Sequence, residues 1–488
     1  MIGISFNKKE FEYDAYTLVK AFYPKEDVEM YGAWEEKKPE DYEKLVSISY
    51  GDRVVIGVHT RERNLEDSAP YDENEDRKKR KNTLKQILYK LLVQETGQTL
   101  PWGDLTGIRP VKIAMGLIEE GMTNAQAADF MRKTYFTSNE KTALAIAIAN
   151  RERDILKDID YEKGYSLYVG IPFCPSICLY CSFSSSPLDK WRDRVEDYLT
   201  ALLKELDFIS QAMKDRPLNT IYIGGGTPTT LEPDQLRRLL GHIQECFPVK
   251  DVSEYTIEAG RPDSITREKL MAIREFPVTR ISVNPQTMNQ KTLEIIGRRH
   301  TVEDTVRAFE LARDCGFDNI NMDLIVGLPG EHKADVEHTL EEVKKLAPDS
   351  LTVHSLAVKR AARLNIFRDQ YQEMTFENNQ EIMDMAMKYA YEMGMGPYYL
   401  YRQKNMCGNL ENTGFAKVDK AGIYNILMME EKQSIMAAGA GASTKFVFQN
   451  GERIERAENV KDVTNYINRI DEMIQRKKVG IDTWLKEI

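Results

Sequence analysis

Cysteine is scarce in this chain, with six residues among 488, and long apolar runs are missing altogether. So few cysteines in so long a chain exclude a small secreted protein stapled by disulfides. Without a long apolar run, or a basic start followed by an apolar core, the sequence predicts neither a membrane span nor a signal peptide. The net charge of −10 argues against nucleic acid as a partner.

The length and composition predict a globular protein with two or three domains. We place the domains at residues 1–155, 160–375 and 376–488. The first combines strand-like stretches at 1–6 and 45–59 with later helices, which indicates an α+β domain. The charge-dense run within this domain, at 72–85, is typical of a solvated loop and the first turn of a helix.

The middle domain alternates short β-branched strands with helical patterns, which favours either a parallel barrel or a doubly wound sheet. In barrels, the chemistry gathers at the carboxyl ends of the strands. The last domain reads as mostly helical, with loops at 394–397 and 408–420. The candidate strands of the middle domain are 166–173, 220–225, 254–259, 280–285, 319–327 and 350–356.

Half of the cysteines lie in one short loop after the first of these strands, at Cys174, Cys178 and Cys181. Thiolates packed this closely usually hold a metal ion or an iron–sulfur cluster. Three thiolates leave one coordination position of the metal or cluster open, where a cofactor or substrate can bind. A zinc knuckle is the competing interpretation, but the nearest histidine, His242, lies far along the chain. A disulfide is the other, and it suits a short secreted chain better.

A glycine-rich turn follows the second strand, at 224–229, with the sequence Gly-Gly-Gly-Thr-Pro-Thr. Glycines let a ligand approach the backbone closely, and exposed amides there can receive its polar groups. The proline and the spacing exclude the dinucleotide-binding fingerprint of Rossmann folds. Taken alone, the turn could equally be a tight connection between a strand and a helix.

These motifs, with several others in the same order, resemble the oxygen-independent coproporphyrinogen III oxidases and the related haem chaperones. The cysteine spacing resembles that of the radical S-adenosylmethionine (SAM) enzymes in general. The additional N-terminal region, and the run that begins Tyr-Arg-Gln-Lys-Asn-Met at 401, resemble the long HemZ-type branch. The further matching motifs are Tyr168, Ile-Pro-Phe-Cys at 171–174, Thr-Ile-Glu-Ala-Gly at 256–260, Arg-Ile-Ser-Val-Asn-Pro-Gln at 280–286, Gly-Arg-Arg-His-Thr at 297–301 and Asp-Leu-Ile-Val-Gly-Leu-Pro-Gly at 323–330.

The resemblance implies a partial (β/α)6 radical SAM barrel with a [4Fe–4S] cluster on the three cysteines and SAM on the open iron. In that family an electron from the cluster cleaves SAM to methionine and a 5′-deoxyadenosyl radical. Such an oxygen-labile cluster, with free thiols, predicts a reducing cytoplasm. Structural hydrogen bonds at the barrel rim are the alternative role for each implied SAM contact. Those contacts are Tyr168, Gly225, Gly226, Thr227, Glu258, Gln286, Arg298 and Asp323.

Among these, the resemblance assigns Arg298 to the SAM carboxylate, which suits a guanidinium fork. Glu258 and Asp323 correspond to carboxylates near SAM that could bind ribose hydroxyls. The amide of Gln286 can both donate and accept a hydrogen bond.

The implied reaction is oxidative decarboxylation of two propionate arms of coproporphyrinogen III to vinyl groups, giving protoporphyrinogen IX. The cofactor carries the chemistry, and the protein positions the substrate. A low-potential donor such as flavodoxin or ferredoxin would supply electrons. The substrate propionates need cations, of which most candidates could instead be solvated surface charges. The favoured candidates are Lys359, Arg360 and Arg402, and the others are Arg299, Arg363 and Lys404.

Two positions depart from the well-studied oxidases, which have another cysteine where this chain has Phe183 and a histidine where it has Gly170. The chaperone-like branch shares the first departure. A haem-binding chaperone, or a radical SAM enzyme acting on haem itself, therefore stays open. A haem ligand and a substrate-sized cavity would decide between them. His300 and His354 are the histidines nearest the barrel motifs, although a lone histidine is more often structural.

The remaining candidates are single residues. Cys246 and Cys315 read as small buried groups in helices, whereas Cys407 follows a basic loop and could face substrate. Trp102 and Arg109 lie in a turn-rich loop, where a structural role is favoured over contact with substrate.

Overall fold

The computed structural model describes residues 1–36, 41–107, 109–183, 185–357, 362–366, 374, 376–402 and 410–487. The chain divides into two compact units, Met1–Ala149 and Asn150–Ile488. The second unit contains the residues assigned above to the barrel and to the C-terminal region. Within the part of the chain that the structure describes, no helix combines the length and the apolar character needed to cross a membrane.

The first unit is built on a five-stranded sheet in the order β2-β1-β3-β4-β5, in which β1 is parallel to both neighbours and the rest is antiparallel. The strand-like stretch at 45–59 is two strands joined by a two-residue turn. The strands are β1 Ile2–Phe6, β2 Val28–Gly32, β3 Lys44–Tyr50, β4 Arg53–Thr60 and β5 Asn64–Pro70. The helices are α1 Glu12–Phe22, α2 Arg77–Thr96, α3 Pro110–Glu119, α4 Asn124–Tyr135 and α5 Asn139–Leu156, the last of which continues past Ala149.

The charge-dense run of the first unit forms the loop before α2 and the start of that helix. Asp76 caps the helix, since its side chain accepts a hydrogen bond from the backbone N–H of Lys79 at 3.0 Å. Gly97 ends it in the left-handed conformation, with a φ of 68°. Trp102, in the loop that follows, is buried, which supports the structural role favoured for it.

Six parallel strands form the centre of the second unit, in the sheet order β13-β12-β11-β10-β9-β6, and helices connect them. Their ends agree with the six predicted strands to within two residues. The strands are β6 Tyr165–Ile171, β7 Phe173–Cys174, β8 Ser186–Pro187, β9 Leu218–Gly225, β10 Glu254–Gly260, β11 Arg280–Val283, β12 Ile320–Val326 and β13 Ser350–Ser355. The helices are α6 Leu188–Trp191, α7 Val195–Ala212, α8 Pro233–Cys246, α9 Arg267–Arg274, α10 Gln290–Ile295, α11 Val302–Asp314, α12 Lys333–Leu346 and α13 Arg363–Ile366.

The C-terminal region contributes helices, as predicted, and also five strands that extend the central sheet at both edges. β15 pairs antiparallel with β13, and β16 pairs parallel with β6. The two predicted loops are wrong in part. β14 begins within the predicted loop at 394–397, and β15 lies within the one at 408–420. The elements are α14 Gln380–Glu392, β14 Gly396–Tyr401, β15 Asn412–Ala416, α15 Ile423–Met429, β16 Ser434–Ala438, β17 Ser443–Phe448, β18 Arg453–Glu458, α16 Val463–Asn468 and α17 Ile470–Glu487.

A buried carboxylate joins the C-terminal region to the barrel. Glu205 of α7 accepts hydrogen bonds from Lys477 at 2.5 Å, Asn459 at 2.8 Å, Tyr466 at 2.6 Å and the backbone N–H of Gly439 at 2.9 Å. Both charges of the Lys477 pair are almost completely buried. Because each lone pair is matched by a donor, this network fixes α17 and the β16–β17 turn against the barrel.

Candidate active site

Of the three clustered cysteines, Cys174 ends β7, while Cys178 and Cys181 lie in the loop between β7 and β8, which pair as a short parallel ribbon. The loop is held at several points by backbone hydrogen bonds. The N–H of Leu179 donates to the carbonyl of Ile296 at 2.9 Å, and the hydroxyl of Ser176 donates to that of Gly297 at 3.0 Å. The loop therefore lies against the segment that follows α10.

The three thiols do not lie close enough to one another to bind a single ion together. Among the described residues, only one set of three His, Cys, Asp or Glu donors lies within 4.8 Å of one another, and it does not include Cys174, Cys178 and Cys181. A zinc knuckle needs its ligand atoms that close together. Burial raises the pKa of Cys174 to about 12 and also raises that of Cys181, so nearby cations are needed if the thiolates are to form.

Two buried arginines supply positive charge beside the thiols. Arg261 donates to the sulfur of Cys178 at 3.4 Å and to the hydroxyl of Ser176 at 3.0 Å, while its other nitrogens bind Asp263. A carboxylate thus neutralises Arg261 and fixes it as a support of the loop.

Arg298 has a different set of partners. It donates to the carbonyl of Asn284 at 2.5 Å, to the hydroxyl of Tyr180 at 3.2 Å and to Cys178. Its buried Nε has no hydrogen-bond partner among the described residues. Because these partners are not carboxylates, the charge of the guanidinium is available to an anionic ligand. Its assignment to the SAM carboxylate stays a prediction. The donor set therefore fits a cluster with an anion bound beside it.

The glycine turn brings the end of β9 against the cysteine strand. The N–H groups of Gly226 and Thr227 donate to the carbonyls of Ile171 and Phe173, at 2.7 and 2.8 Å. These two amides are therefore not available to a ligand, contrary to the general expectation for the turn. A Cβ on Gly226 would lie 2.6 Å from the Phe173 carbonyl, so glycine is required for this approach.

Two residues of the turn still face the site. Gly225 is exposed and has a φ of 106°, which strains other residues. The hydroxyl of Thr227 lies 3.7 Å from the sulfur of Cys174 and donates to it. The turn therefore contacts Cys174 through Thr227 and is exposed at Gly225.

A patch of tyrosines and carboxylates lies beside the turn. Tyr222 of β9 stacks on Tyr424 of α15 with ring centroids 4.5 Å apart, and Tyr168 of β6 lies 6.3 Å from Tyr222. The hydroxyl of Tyr222 donates to Glu258 of β10, as does the N–H of Gly225.

Glu258 is the carboxyl group of this patch with the most altered acidity. Burial raises its pKa to about 7, and Asp323 adds to the rise, while the bond from Tyr222 and the charge of Arg280 oppose it. Near neutral pH the group can therefore accept hydrogen bonds as a carboxylate or donate one as an acid.

Gln286, three residues after β11, contacts β12 through its backbone at Asp323. The N–H of Gln286 donates to the carbonyl of Asp323 at 2.9 Å, and Gln286 has a φ of 68°, which is unusual for a residue with a side chain. Asn321 donates to the carboxylate of Asp323 at 2.7 Å, and His354 lies 4.0 Å from its other oxygen. This places the backbone of Gln286 beside Asp323, which is the fourth residue of β12.

The structure brings the predicted residues together in two groups. The first surrounds the thiols and includes Thr227 and Arg298. The second is the tyrosine–carboxylate patch with Tyr168, Gly225, Glu258 and Asp323, and Gln286 adjoins it through its backbone. Their roles in binding SAM remain predictions.

The predicted substrate cations are not assembled into one group by the described residues. Lys359, Arg360 and Lys404 lie outside the described residues, as does Cys407. Arg402 is buried, and Arg299 and Arg363 are exposed.

Three neighbours of these groups were absent from the predicted set: Arg261, Tyr180 and Tyr222. Arg261 directly follows the Thr-Ile-Glu-Ala-Gly motif at a strand end, and Tyr180 stands between the second and third cysteines. Both positions are signals that could have identified them. Tyr222 gives no such signal, because a tyrosine within a strand usually belongs to the core.

The remaining candidate cysteines and histidines differ in burial and in their neighbours. Cys315 is buried just after α11, as predicted, whereas Cys246 is only partly buried at the end of α8. His300 is buried 3.8 Å from Asp263, and burial lowers its pKa to about 4. His354 lies near Tyr401, whose hydroxyl is 3.4 Å from its Nδ1.

Comparison with known proteins identifies the family. Residues 168–343 match the Radical SAM superfamily, whose members use a [4Fe–4S] cluster and SAM. The chain is 39% identical over 452 residues to the oxygen-independent coproporphyrinogen-III oxidase-like protein HemZ of Bacillus subtilis, covering 90% of both chains. It is 33% identical over 313 residues to the haem chaperone HemW of Bacillus subtilis, covering 63% of this chain and 76% of that one.

A solved structure has the same fold. Coproporphyrinogen III oxidase (HemN) from Escherichia coli aligns with a TM-score of 0.50 and 24% identity, covering 66% of this chain and 73% of the other. The predicted partial radical SAM barrel is thereby confirmed. The chain belongs to the radical SAM enzymes, in the family that includes HemZ, HemW and the oxygen-independent coproporphyrinogen III oxidases.

Proposed function

We propose that this chain converts two propionate arms of coproporphyrinogen III to vinyl groups without oxygen, giving protoporphyrinogen IX. The observation that carries the proposal is the pairing of a cationic thiol loop with a tyrosine–carboxylate patch at neighbouring strand ends. The likeness to HemZ along 90% of the chain supports the same assignment, because it includes the regions on both sides of the barrel.

Different residues would hold the cluster and SAM. Cys174, Cys178 and Cys181 would hold the [4Fe–4S] cluster, and Arg298 would bind the SAM carboxylate. Glu258 and Asp323 would bind the ribose hydroxyls, and the exposed Gly225 leaves room for the ligand beside them. When bound, these cofactors supply the hydrogen-abstracting chemistry of the superfamily.

Each propionate arm would undergo oxidative decarboxylation. It loses a hydrogen atom from its β-carbon, carbon dioxide from its carboxylate and one electron, which leaves a vinyl group. A low-potential donor such as flavodoxin or ferredoxin would start each cycle, and a one-electron acceptor would complete it. The protein must therefore hold the β-carbon near the SAM site and keep water out.

Arg402 is the described cation that best suits a propionate. It is buried, and its Nε donates to the carbonyl of Leu410 at 3.3 Å. Burial lowers its pKa to about 10, and the charge of Glu411 only partly offsets this. A propionate placed beside it would recover part of the cost of burying the guanidinium. Lys359 and Arg360 remain proposed partners on sequence grounds.

A haem-handling role is the second candidate. The likeness to the haem chaperone HemW extends over 76% of that protein, and Phe183 stands where the oxidases have a further cysteine. In this case the chain would bind haem, and coproporphyrinogen would remain unchanged.

One anaerobic assay distinguishes the two functions. Reconstituted protein is incubated with SAM, a reductant and either coproporphyrinogen III or haem, and the products are identified by mass spectrometry. Oxidase activity removes one carbon dioxide and two hydrogen atoms from each reacting arm, together with formation of 5′-deoxyadenosine. Cys174→Ala is the inactive control. Unchanged coproporphyrinogen, with tight haem binding, would contradict the proposed activity.

The role of Arg402 is tested in the same assay. Arg402→Gln should raise the KM for coproporphyrinogen about tenfold, because a charge-assisted hydrogen bond contributes roughly 1.5–3 kcal/mol. The exposed Arg456 of β18, at the outer edge of the sheet, provides the matched control, Arg456→Gln. Equal KM values for the two variants would remove Arg402 from the substrate site, provided that melting curves show both to be folded.

A further inference from the structure

A second group of ligand-type side chains lies on the outer helices of the barrel, away from the cluster loop. Asp207 belongs to α7, and His242 and Cys246 belong to α8. The two residues of α8 are four positions apart, which places them on the same face of the helix. The side chains of His242 and Asp207 keep 21% and 58% of their exposure, so an ion from solution can reach them.

The distances within this group correspond to the ligand spacing around one tetrahedral ion. The sulfur of Cys246 lies 3.6 Å from Nε2 of His242 and 3.6 Å from Oδ1 of Asp207. The same nitrogen and oxygen are 2.9 Å apart. Around tetrahedral zinc, with bonds of about 2.3 Å to sulfur and about 2.0–2.1 Å to nitrogen or oxygen, the corresponding separations are about 3.6, 3.6 and 3.3 Å.

From this geometry we propose that Asp207, His242 and Cys246 bind one zinc-class divalent cation. Thiolate, imidazole and carboxylate are the usual ligands of Zn²⁺, and three of them leave a fourth position for water. The hydroxyl of Ser210 donates to the carbonyl of Asp207 at 2.9 Å and also lies within hydrogen-bonding reach of the sulfur of Cys246. By rotating toward the sulfur it would orient this ligand as a supporting hydrogen bond. The thiol gives up its proton when the metal binds.

The position of the group indicates a role in stability. Asp207 lies in the last turns of α7, and the other two residues lie in the last turns of α8. In a parallel βα barrel the helices run back from the carboxyl ends of the strands, so their own C-terminal ends lie at the opposite, amino end. A bound ion would therefore tie α7 to α8 far from the cysteine loop, without taking part in the reaction.

Metal counting tests the proposal on the reconstituted holoenzyme. After a chelator wash, the protein is dialysed against ZnCl₂, and zinc and iron are counted together. Wild type should bind one zinc per chain, and Cys246→Ser and His242→Gln should bind it at least about tenfold more weakly. Asp207→Asn should have a smaller effect, because Asp207 is the most exposed of the three. Cys315→Ser is the matched control and should retain the zinc.

Alkylation of cysteine locates the ion independently of the cluster. Iodoacetamide is applied with and without ZnCl₂, and the peptides that contain Cys246 and Cys315 are quantified by mass spectrometry. Zinc should slow the labelling of Cys246 about tenfold or more, and His242→Gln should abolish this protection, while Cys315 is unaffected. Equal zinc content in all variants, or labelling of Cys246 that zinc does not change, would overturn the proposal.

Discussion

The cysteine loop and the tyrosine–carboxylate patch lie at the ends of neighbouring strands but have opposite charge. Arg261 and Arg298 are buried beside the thiols, whereas the patch gathers Glu258 and Asp323. We propose that the two halves hold the two ends of SAM, with its carboxylate beside Arg298 and its ribose beside Glu258 and Asp323.

The strongest test removes all three proposed cluster ligands. Changing Cys174, Cys178 and Cys181 to Ala should abolish the iron–sulfur absorption and lower the iron content from about four per chain to none. Cys315→Ala should leave both unchanged, because that thiol lies outside the loop. Stoichiometric zinc in the loop of the reconstituted wild type, without iron–sulfur absorption, would contradict this assignment.

The two arginines offer a sharper test within the same half. Arg298→Ala should weaken SAM binding about tenfold or more, since a charge-assisted hydrogen bond contributes roughly 1.5–3 kcal/mol. Arg261→Ala should instead lower the iron content, because its bonds to Ser176 and Cys178 hold the loop. Isothermal titration with SAM and iron analysis are needed for both variants. If Arg261→Ala alone weakens SAM binding at full iron content, the roles are reversed.

The raised pKa of Glu258, in the tyrosine–carboxylate patch, predicts that the stability of the protein depends on pH. Glu258 retains its proton to about pH 7 when folded, against an ordinary pKa of 4.5. Its contribution to the free energy of unfolding therefore falls as the pH rises from about 4.5 to about 7. Relative to wild type, Glu258→Gln should gain about 1–3 kcal/mol between pH 4.5 and pH 8. Urea unfolding of cluster-free protein measures this, and a constant difference would refute the raised pKa.

The smallest expected effect concerns Tyr222. Tyr222→Phe keeps the ring stack but removes the bond that stabilises the Glu258 carboxylate, so the pKa of Glu258 should rise further, at a cost of about 0.5–1.5 kcal/mol at high pH. Tyr424→Phe is the control, because the ring of Tyr424 stacks on Tyr222 and its backbone N–H donates to Glu254. The pH profile of unfolding should shift only for the first variant.

The sequence predicted the barrel strands well because each is a short β-branched run between helical patterns. It missed β15, where Asn412, Gly414 and their neighbours have poor strand propensity. Pairing with β13 decides the structure of this segment, and a distant partner cannot be read from local sequence. The same limit applies to the site. The family motifs pointed to Glu258 on β10 and to Arg298 just after α10. The stacking of Tyr222 on Tyr424, in contrast, depends on a helix two hundred residues later.

The pairing of β16 with β6 has a consequence for synthesis on the ribosome. β6 leads into the cysteine loop, and its partner on one side is completed only at Ala438. Until then, a nascent chain exposes one edge of that strand, which is a template for wrong pairing. The scaffold beneath the thiols is therefore finished late, and loading of iron and sulfide is expected to follow release of the full chain rather than to accompany its elongation.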